Sequence, residues 1–431
     1  MSESQPVSET QNPQTQQVKT ISLGELYTLP KGKAYIQVPD ETTPVWYDFL
    51  FGCRVSLPRT DKTRFFVQIE DVDKKLVVYS QIIDTNRPEF ENGATVTTEH
   101  KYYHRYHILV KRVTDDTTLL DHTYNAKDQV VIINCPDAGL GDCIGWFSNA
   151  VKFQKKWGCK LVFAAPAYIC SLFEKTYPNI DFVRRQEIFD KYPTPYAMYY
   201  PGLFFDNSKE FQPEDFRQVG IHTHVASILG VTPEDLPPKV DTSAPRQINE
   251  KYVVIACNAS SHCKHWNYPG GWDEVIEYLK SRGYRVLCID KDKNLYRGHG
   301  VCDTMPHGCE DFTGDIPLQE RVNIIKDADF FIGVSSGLSW VAWCCNVPVV
   351  LISGFTHPYT EFRTKYRVIN MDVCNSCWND PRCAYDHNDP LGCPRLKGTA
   401  SAYECSMYIT PKMVIDAVDK CIADNPKDTI A

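Results

Sequence analysis

The sequence carries no excess of positive charge. It has 46 lysines and arginines against 54 aspartates and glutamates, a net charge of −8. A protein that grips nucleic acid by its phosphates presents a basic surface, so no nucleic-acid partner is expected. Residues 1–17 hold no apolar stretch, basic leader or cleavage site, so no secretory signal is read there. A long uninterrupted hydrophobic run is also missing. The most apolar region, Ala328 to Phe355, is broken by Ser335-Ser336-Gly337 and by Asn346-Val347-Pro348. It reads as buried strand, helix and strand rather than as a membrane span. These absences together predict a cytoplasmic protein without stable membrane insertion.

Cysteine, by contrast, is plentiful, at 18 residues. Most sit alone inside apolar runs, as Cys159, Cys170, Cys257 and Cys288 do, and read as reduced cytosolic thiols. At 431 residues, with 43% hydrophobic and 23% charged side chains, the chain can bury a core and should form about three folding units.

Residues 1–18 are polar and rich in Gln, Ser, Thr and Pro, and are expected to be a disordered tail. Residues 19–126 read as a β-rich domain, with strand-like runs at 64–70, 76–83 and 107–113. This domain carries no obvious chemistry and suits oligomerisation or acceptor docking. At 127 the pattern changes. Val130-Val-Ile-Ile-Asn is a continuous apolar run, followed by a glycine loop, a helix from about Asp142 to Trp157 and a strand at Lys160. Such alternation marks an α/β domain, assigned to 127–245. The alternation restarts at Tyr252, giving a second Rossmann-like domain at 246–372. Residues 373–407 form a cysteine-rich insert, and 408–431 end in a helix that could pack on either half. Two α/β halves in tandem place a cleft at the carboxyl ends of their strands.

Three loops at such strand ends could bind a ligand. Gly139, Leu140, Gly141 and Asp142 open the first helix, where glycines admit close approach and free N–H groups favour an anion. The spacing Gly139, Gly141, Gly145 is one residue longer than the dinucleotide fingerprint, which argues against NAD. Asp142 suits either a helix N-cap or a general base facing the cleft. Ser260, Ser261 and Lys264 suit a phosphate, with Lys264 equally readable as an exposed loop lysine. Ser335, Ser336, Gly337 and Leu338 form a tight turn before a helix, suited to a pyrophosphate, to helix capping, or to both.

The fourth feature is the cluster Cys374, Cys377, Cys383, Cys393 and Cys405. Cys374 and Cys377 make a C-x2-C knuckle; Cys393 and Cys405 follow at wider spacing than in a zinc ribbon. Four thiolates in a polar, loop-rich segment argue for one structural metal ion that replaces a missing core. Cys383 is left over, and disulfide pairing is the alternative for the group.

Taken together, Gly139-Leu-Gly-Asp142, Ser260-Ser-His-Cys-Lys264-His-Trp-Asn-Tyr-Pro-Gly-Gly-Trp272, Ser335-Ser-Gly-Leu-Ser-Trp340 and the segment from Cys374-x-x-Cys377-Trp-Asn-Asp through Cys393-Pro-Arg to Glu404-Cys405 resemble the bacterial autotransporter heptosyltransferases. The first three also resemble the lipopolysaccharide heptosyltransferases. The resemblance implies a GT-B fold of two facing Rossmann-like domains, here with the β-rich domain and the four-cysteine metal-binding insert added. It implies an ADP-heptose donor, serine hydroxyls of an autotransporter adhesin passenger domain as acceptor, and a metal-independent transfer with inversion. It further implies an iron ion on Cys374, Cys377, Cys393 and Cys405, with zinc as the chemical alternative, and a large ring-shaped homo-oligomer, a dodecamer. Asp142 becomes the base and Lys264 the donor-phosphate contact. Gly139, Leu140, Gly141, Ser260, Ser261 and Ser335 to Leu338 become the donor site. Where lipopolysaccharide enzymes show Asp-Thr-Gly-Leu, this chain has Ser335-Ser336-Gly-Leu and lacks a carboxylate. Two other readings remain open at this point: a lipopolysaccharide-core heptosyltransferase, and a non-catalytic iron-binding protein.

Overall fold

A computed structural model of the chain describes residues 45–90, 93–135, 138–202, 209–298, 300–386 and 388–426, with the backbone of one further strand at 34–36. The expected tail, 1–18, lies outside the described residues.

Eight short strands come first: β1 (Ala34–Ile36), β2 (Val45–Asp48), β3 (Arg54–Leu57), β4 (Arg64–Asp71), β5 (Leu76–Asp84), β6 (Ala94–Thr97), β7 (Tyr106–Arg112) and β8 (Thr118–Thr123). They make two antiparallel sheets, ordered β1-β2-β3-β6 and β5-β4-β7-β8. Alternation sets the inner face. Val67 pairs with Val110 and Ile69 with Ile108, all fully buried, while the residues between them point outward.

The first α/β half holds β9 (Val130–Asn134), α1 (Leu140–Trp157), β10 (Lys160–Ala164), α2 (Ala167–Phe173), β11 (Asp181–Val183), α3 (Ile188–Lys191), β12 (Ala197–Tyr199) and α4 (Ile221–Leu229). Its parallel sheet is ordered β11-β10-β9-β12. The β-rich part is stitched to this sheet. The Phe49 N–H donates to the Tyr196 carbonyl at 2.9 Å, and the Met198 N–H donates to the Phe49 carbonyl at 3.1 Å. One hydrophobic core runs from Val45 through β9 and α1 into the second half, as far as Phe362.

The second half holds β13 (Tyr252–Ala256), α5 (Gly271–Ser281), β14 (Arg285–Cys288), the hairpin β15 (Asn294–Gly298) and β16 (Val301–Thr304), β17 (Glu310–Asp311), α6 (Leu318–Ile325), β18 (Phe331–Val334), α7 (Gly337–Cys344), β19 (Val349–Ile352) and β20 (Tyr366–Val368). Six parallel strands run in the order β17-β14-β13-β18-β19-β20. Both faces are covered. Val254, Phe331 and Leu351 enter the core shared with the first half, while Val253, Ile255, Ile332 and Val350 enter a second core. That two-sided burial is why these strands read as unbroken apolar runs.

After the cysteine segment, with its short helix α8 (Glu404–Met407), comes α9 (Pro411–Asp424). Thr410 caps α9 by accepting from the Met413 N–H, and Pro411 sits in the first turn. Val414, Val418 and Cys421 place α9 on the second half, against Val275, Leu279 and Val368.

The start of α4 is pressed against the second half. The Ile221 N–H donates to the Thr360 carbonyl at 3.0 Å. A Cβ on Gly220 would lie 2.1 Å from the Tyr359 carbonyl oxygen, a backbone atom that cannot swing aside. Gly220→Ala should therefore destabilise the protein by about 1–3 kcal/mol through overpacking. A thermal melt matching that of the parent would refute this.

Candidate functional site

The candidate loops all lie at carboxyl ends of parallel strands, and the structure brings two of them face to face. The start of α1 meets the start of α7. A Cβ on Gly337 would lie 2.6 Å from the Cβ of Leu140, and one on Gly141 would lie 2.6 Å from the Trp340 ring. Glycine at both positions is what permits the approach. Two helix N-termini, each with unsatisfied N–H groups, thus converge on one region of the cleft.

Helix α1 begins two residues before the expected position. Gly139 occupies the N-cap position, so Asp142 is not the N-cap but the third residue of the helix. Its carboxylate reaches back to the Gly139 N–H, as an acid in the first turn of a capping box does. Half-buried there, Asp142 is pushed above the ordinary carboxylate range by burial. The Lys264 ammonium pulls it down and the Glu361 carboxylate pushes it up. Asp142 from the first half and Lys264 and Glu361 from the second therefore share one electrostatic neighbourhood.

Lys264 closes a short turn, His262–Lys264, after β13. It is half-buried and has no carboxylate within salt-bridge distance among the described residues. Ser260 is exposed, and its carbonyl accepts from Arg297 at 3.0 Å. Ser261 is buried and turned towards the cysteine segment: its hydroxyl meets the Cys263 sulfur at 3.3 Å and donates to the Pro390 carbonyl at 3.4 Å. Ser335 is buried with its hydroxyl on Glu361. Ser336 holds the N-cap position of α7 without a side-chain cap, and its hydroxyl is enclosed with no hydrogen-bond partner among the described residues. Neither serine caps the helix through its side chain. Gly337 and Leu338 open α7.

Two clusters among the described residues gather three ligand-type atoms within 4.8 Å: Cys257, Cys288 and Asp290, and His262, His265 and Asp303. In the first, Asp290 accepts from the N–H groups of Cys257 and Asn258 at 2.8 and 3.1 Å, clasping the ends of two strands. In the second, a guanidinium already fills the centre. Arg297 donates to Asp303 at 2.7 Å and to the His265 ring at 2.8 Å, and also holds the carbonyls of Ala259 and Ser260. Burial alone would raise Asp303; hydrogen bonds from His262 and Arg297 and the charge of His265 outweigh it and hold the carboxyl at about 2. Burial drives His265 down to about 4, so its ring is a neutral acceptor near pH 7.

The cysteine segment carries no disulfide; all 18 cysteines are free thiols. Cys377, Cys383, Cys393 and Cys405 are buried. Burial raises the Cys405 thiol, and Cys263, Cys377, Cys393 and Cys374 raise it further, so all five stand close enough to interact. No three of them bring their sulfurs within 4.8 Å. The donor chemistry nonetheless suits a soft metal ion: several neighbouring thiols, with Arg395 poised to offset thiolate charge. Arg395 donates to the Cys383 sulfur at 3.1 Å and to the Cys374 sulfur at 3.9 Å. Cys383, left over by spacing, is thus an acceptor for Arg395. The segment also braces the Lys264 loop, because the His262 N–H donates to the Pro390 carbonyl at 2.9 Å.

The sequence reading missed Cys263, Arg297, Asp303 and Glu361. The first lies inside a motif already singled out, and its neighbour Lys264 drew the attention. The others are single polar residues with no local pattern.

Comparison with known proteins places the chain. The description glycosyltransferase family 9 (heptosyltransferase) matches residues 195–385. The autotransporter heptosyltransferase TibC of Escherichia coli O78:H11 is 42% identical over 90% of this chain and 94% of its own. The autotransporter heptosyltransferase Aah of Escherichia coli is 44% identical, over 86% of this chain and 92% of its own. A crystal structure of TibC, described as a dodecameric iron-containing heptosyltransferase in complex with ADP-D-β-D-heptose, superposes with a TM-score of 0.82 at 41% identity, covering 90% of this chain and 98% of that one. The chain is a glycosyltransferase with the heptosyltransferase fold. It belongs to the autotransporter heptosyltransferases. No helix among the described residues is long and apolar enough to cross a membrane.

The buried Arg297–Asp303 pair is the pin of the Lys264 loop. Arg297→Met should cost about 3–5 kcal/mol, as removal of one partner from a buried ion pair does. Hydrogen exchange should rise first at residues 258–265. Unchanged melting and unchanged protection there would show that the pin is dispensable.

Proposed function

We propose that this chain transfers heptose from ADP-heptose to serine hydroxyls of an autotransporter adhesin passenger domain, with inversion at the anomeric carbon. The observation that carries the reading is the close approach of two helix starts, one from each half, with Asp142 in the first turn of one and within the electrostatic reach of Lys264. Residues 127–245 form the acceptor side and 246–372 the nucleotide-sugar side. The lipopolysaccharide-core alternative gains no support from the relatives, which are autotransporter enzymes.

The chemistry follows from what each group can do. A serine hydroxyl is a weak nucleophile at neutral pH, and Asp142 removes its proton as the oxygen attacks the anomeric carbon. The bond to the diphosphate breaks on the opposite face, and ADP leaves with growing negative charge. Lys264, which has no carboxylate partner among the described residues, and the first N–H groups of α7 meet that charge. Gly139, Leu140 and Gly141 line the donor site from the first half, with Ser260 and Ser336 to Leu338 lining it from the second. Ser261 and Ser335 act through their neighbours, since their hydroxyls are already engaged.

Cys374, Cys377, Cys393 and Cys405 hold one iron ion per chain, which replaces the core that this polar segment lacks. Four thiolates leave no open position, so the metal takes no part in transfer. The chain works in the cytoplasm as a ring-shaped dodecamer; TibC is described as dodecameric.

Asp142→Asn keeps the shape and removes the basicity. Turnover should fall by about 10²- to 10⁴-fold with ADP affinity retained. In the parent, kcat should drop as pH falls through a pKa above the ordinary 3.8, because the base must be ionised to act. Lys264→Ala should do the reverse on binding, weakening ADP by roughly tenfold or more. Near-normal turnover in Asp142→Asn, or unchanged ADP affinity in Lys264→Ala, would remove that residue from the mechanism.

The metal assignment has its own check. Serine at 374, 377, 393 or 405 should strip iron and loosen 373–407, whereas Cys383→Ser should retain the metal. Elemental analysis showing iron kept in Cys393→Ser and lost in Cys383→Ser would overturn the ligand set. A colourless protein containing zinc would correct the ion alone.

A further inference from the structure

Glu361 is a buried carboxylate that the chemistry above leaves unused, and its side chain is 4% exposed. It lies in the connection between β19 and β20, at the carboxyl end of the second sheet. One oxygen accepts from the Ser335 hydroxyl and from Thr356 Oγ1, the latter at 2.7 Å. The other pairs with Arg367 at 2.8 Å. Arg367 is itself held by Ser353 Oγ at 3.0 Å and by the Phe362 carbonyl at 3.2 Å. A carboxylate this enclosed persists only with such a set of partners. It is therefore a fixed point to which Ser335 is tied.

Ser335 begins the turn that aims α7. The next residue, Ser336, has no side-chain capping bond of its own, and Gly337 then starts the helix against Leu140. The sequence pattern lacks a carboxylate at this turn. The fold supplies one from 26 residues further along the chain.

We propose that Glu361 is the positioning residue of the donor turn: it fixes Ser335, and so the phosphate-facing start of α7. Its negative charge also opposes ionisation of Asp142. This rests on the reading of Asp142 as base and of α7 as a diphosphate contact. Removing the Glu361 charge leaves Lys264 as the charged side chain acting on Asp142, so Asp142 should ionise at lower pH. Arg367 is the cation facing Glu361 itself.

Two variants test this, Glu361→Gln and Ser335→Ala, each compared with the parent for kcat and KM towards ADP-heptose across pH, and for ADP affinity by calorimetry. Both should raise KM and weaken ADP severalfold, since both untie the turn. Glu361→Gln alone should shift the acid limb of kcat to lower pH. A purely structural role would not move that limb. A folded Glu361→Gln with the parent's acid limb overturns the electrostatic half. Should Glu361→Gln fail to fold because Arg367 is left unpaired, Ser335→Ala decides: parental KM and parental ADP affinity overturn the proposal. Failure of the wider reading looks different. The parent itself would then transfer nothing from ADP-heptose, while the two ADP affinities would still report on the turn.

Discussion

The site depends on how closely two helix starts can approach. Helix α1 comes from the first half and α7 from the second, and between them there is no space for a Cβ on Gly337 or on Gly141. Any larger residue would force Leu140 or the Trp340 ring aside. Behind this contact, Trp340 packs edge-on to Phe362 with ring centroids 5.1 Å apart, so the contact is backed by the core rather than by mobile surface. The neighbourhood of Asp142, Lys264 and Glu361 exists because this approach holds. Groups far apart in sequence become one electrostatic unit only when two backbones can lie this close.

The same dependence explains what the sequence could and could not disclose. The strands of both parallel sheets announce themselves as apolar runs because both faces are buried, and the glycines at the starts of α1 and α7 mark strand-to-helix turns. Asp142 and Lys264 stand beside those marks. Glu361 does not. Its neighbours Thr360 and Phe362 carry no pattern, and its value comes from Ser335, Thr356 and Arg367, which only the fold brings to it. Arg297 and Asp303 sit on a two-stranded hairpin whose exposed alternation resembles an ordinary loop, yet they pin the Lys264 turn. Local pattern discloses elements and their ends; it does not disclose a partner chosen across the sheet. The N-cap alternative for Asp142 does not hold, because Gly139 takes that position and Asp142 is the third residue of the helix.

The cysteine segment is tied to the Lys264 loop more tightly than a separate insert would be. Pro390 accepts from the His262 N–H and from the Ser261 hydroxyl, and Cys263 lies among the thiols that act on Cys405. Lys264 is the very next residue. Arg217, from the first half, donates to the carbonyls of Cys377 and Trp378 at 3.0 and 2.7 Å, so the segment also touches the other wall. A structural metal there would stiffen a clamp around the donor loop without meeting the substrate.

If Lys264 holds the donor and Asp142 is the base, as proposed, the charges in the cleft make the two influence one another. In the free site Lys264 lowers the proton affinity of Asp142, working against burial and Glu361. A diphosphate bound at Lys264 brings negative charge that offsets the ammonium. Asp142 then keeps the two influences that raise its proton affinity and loses much of the one that lowers it. It becomes a stronger base with the donor in place, when an acceptor hydroxyl has to be deprotonated. On that reading the arrangement couples base strength to donor occupancy through charge, and the coupling depends on the two helix starts staying in contact.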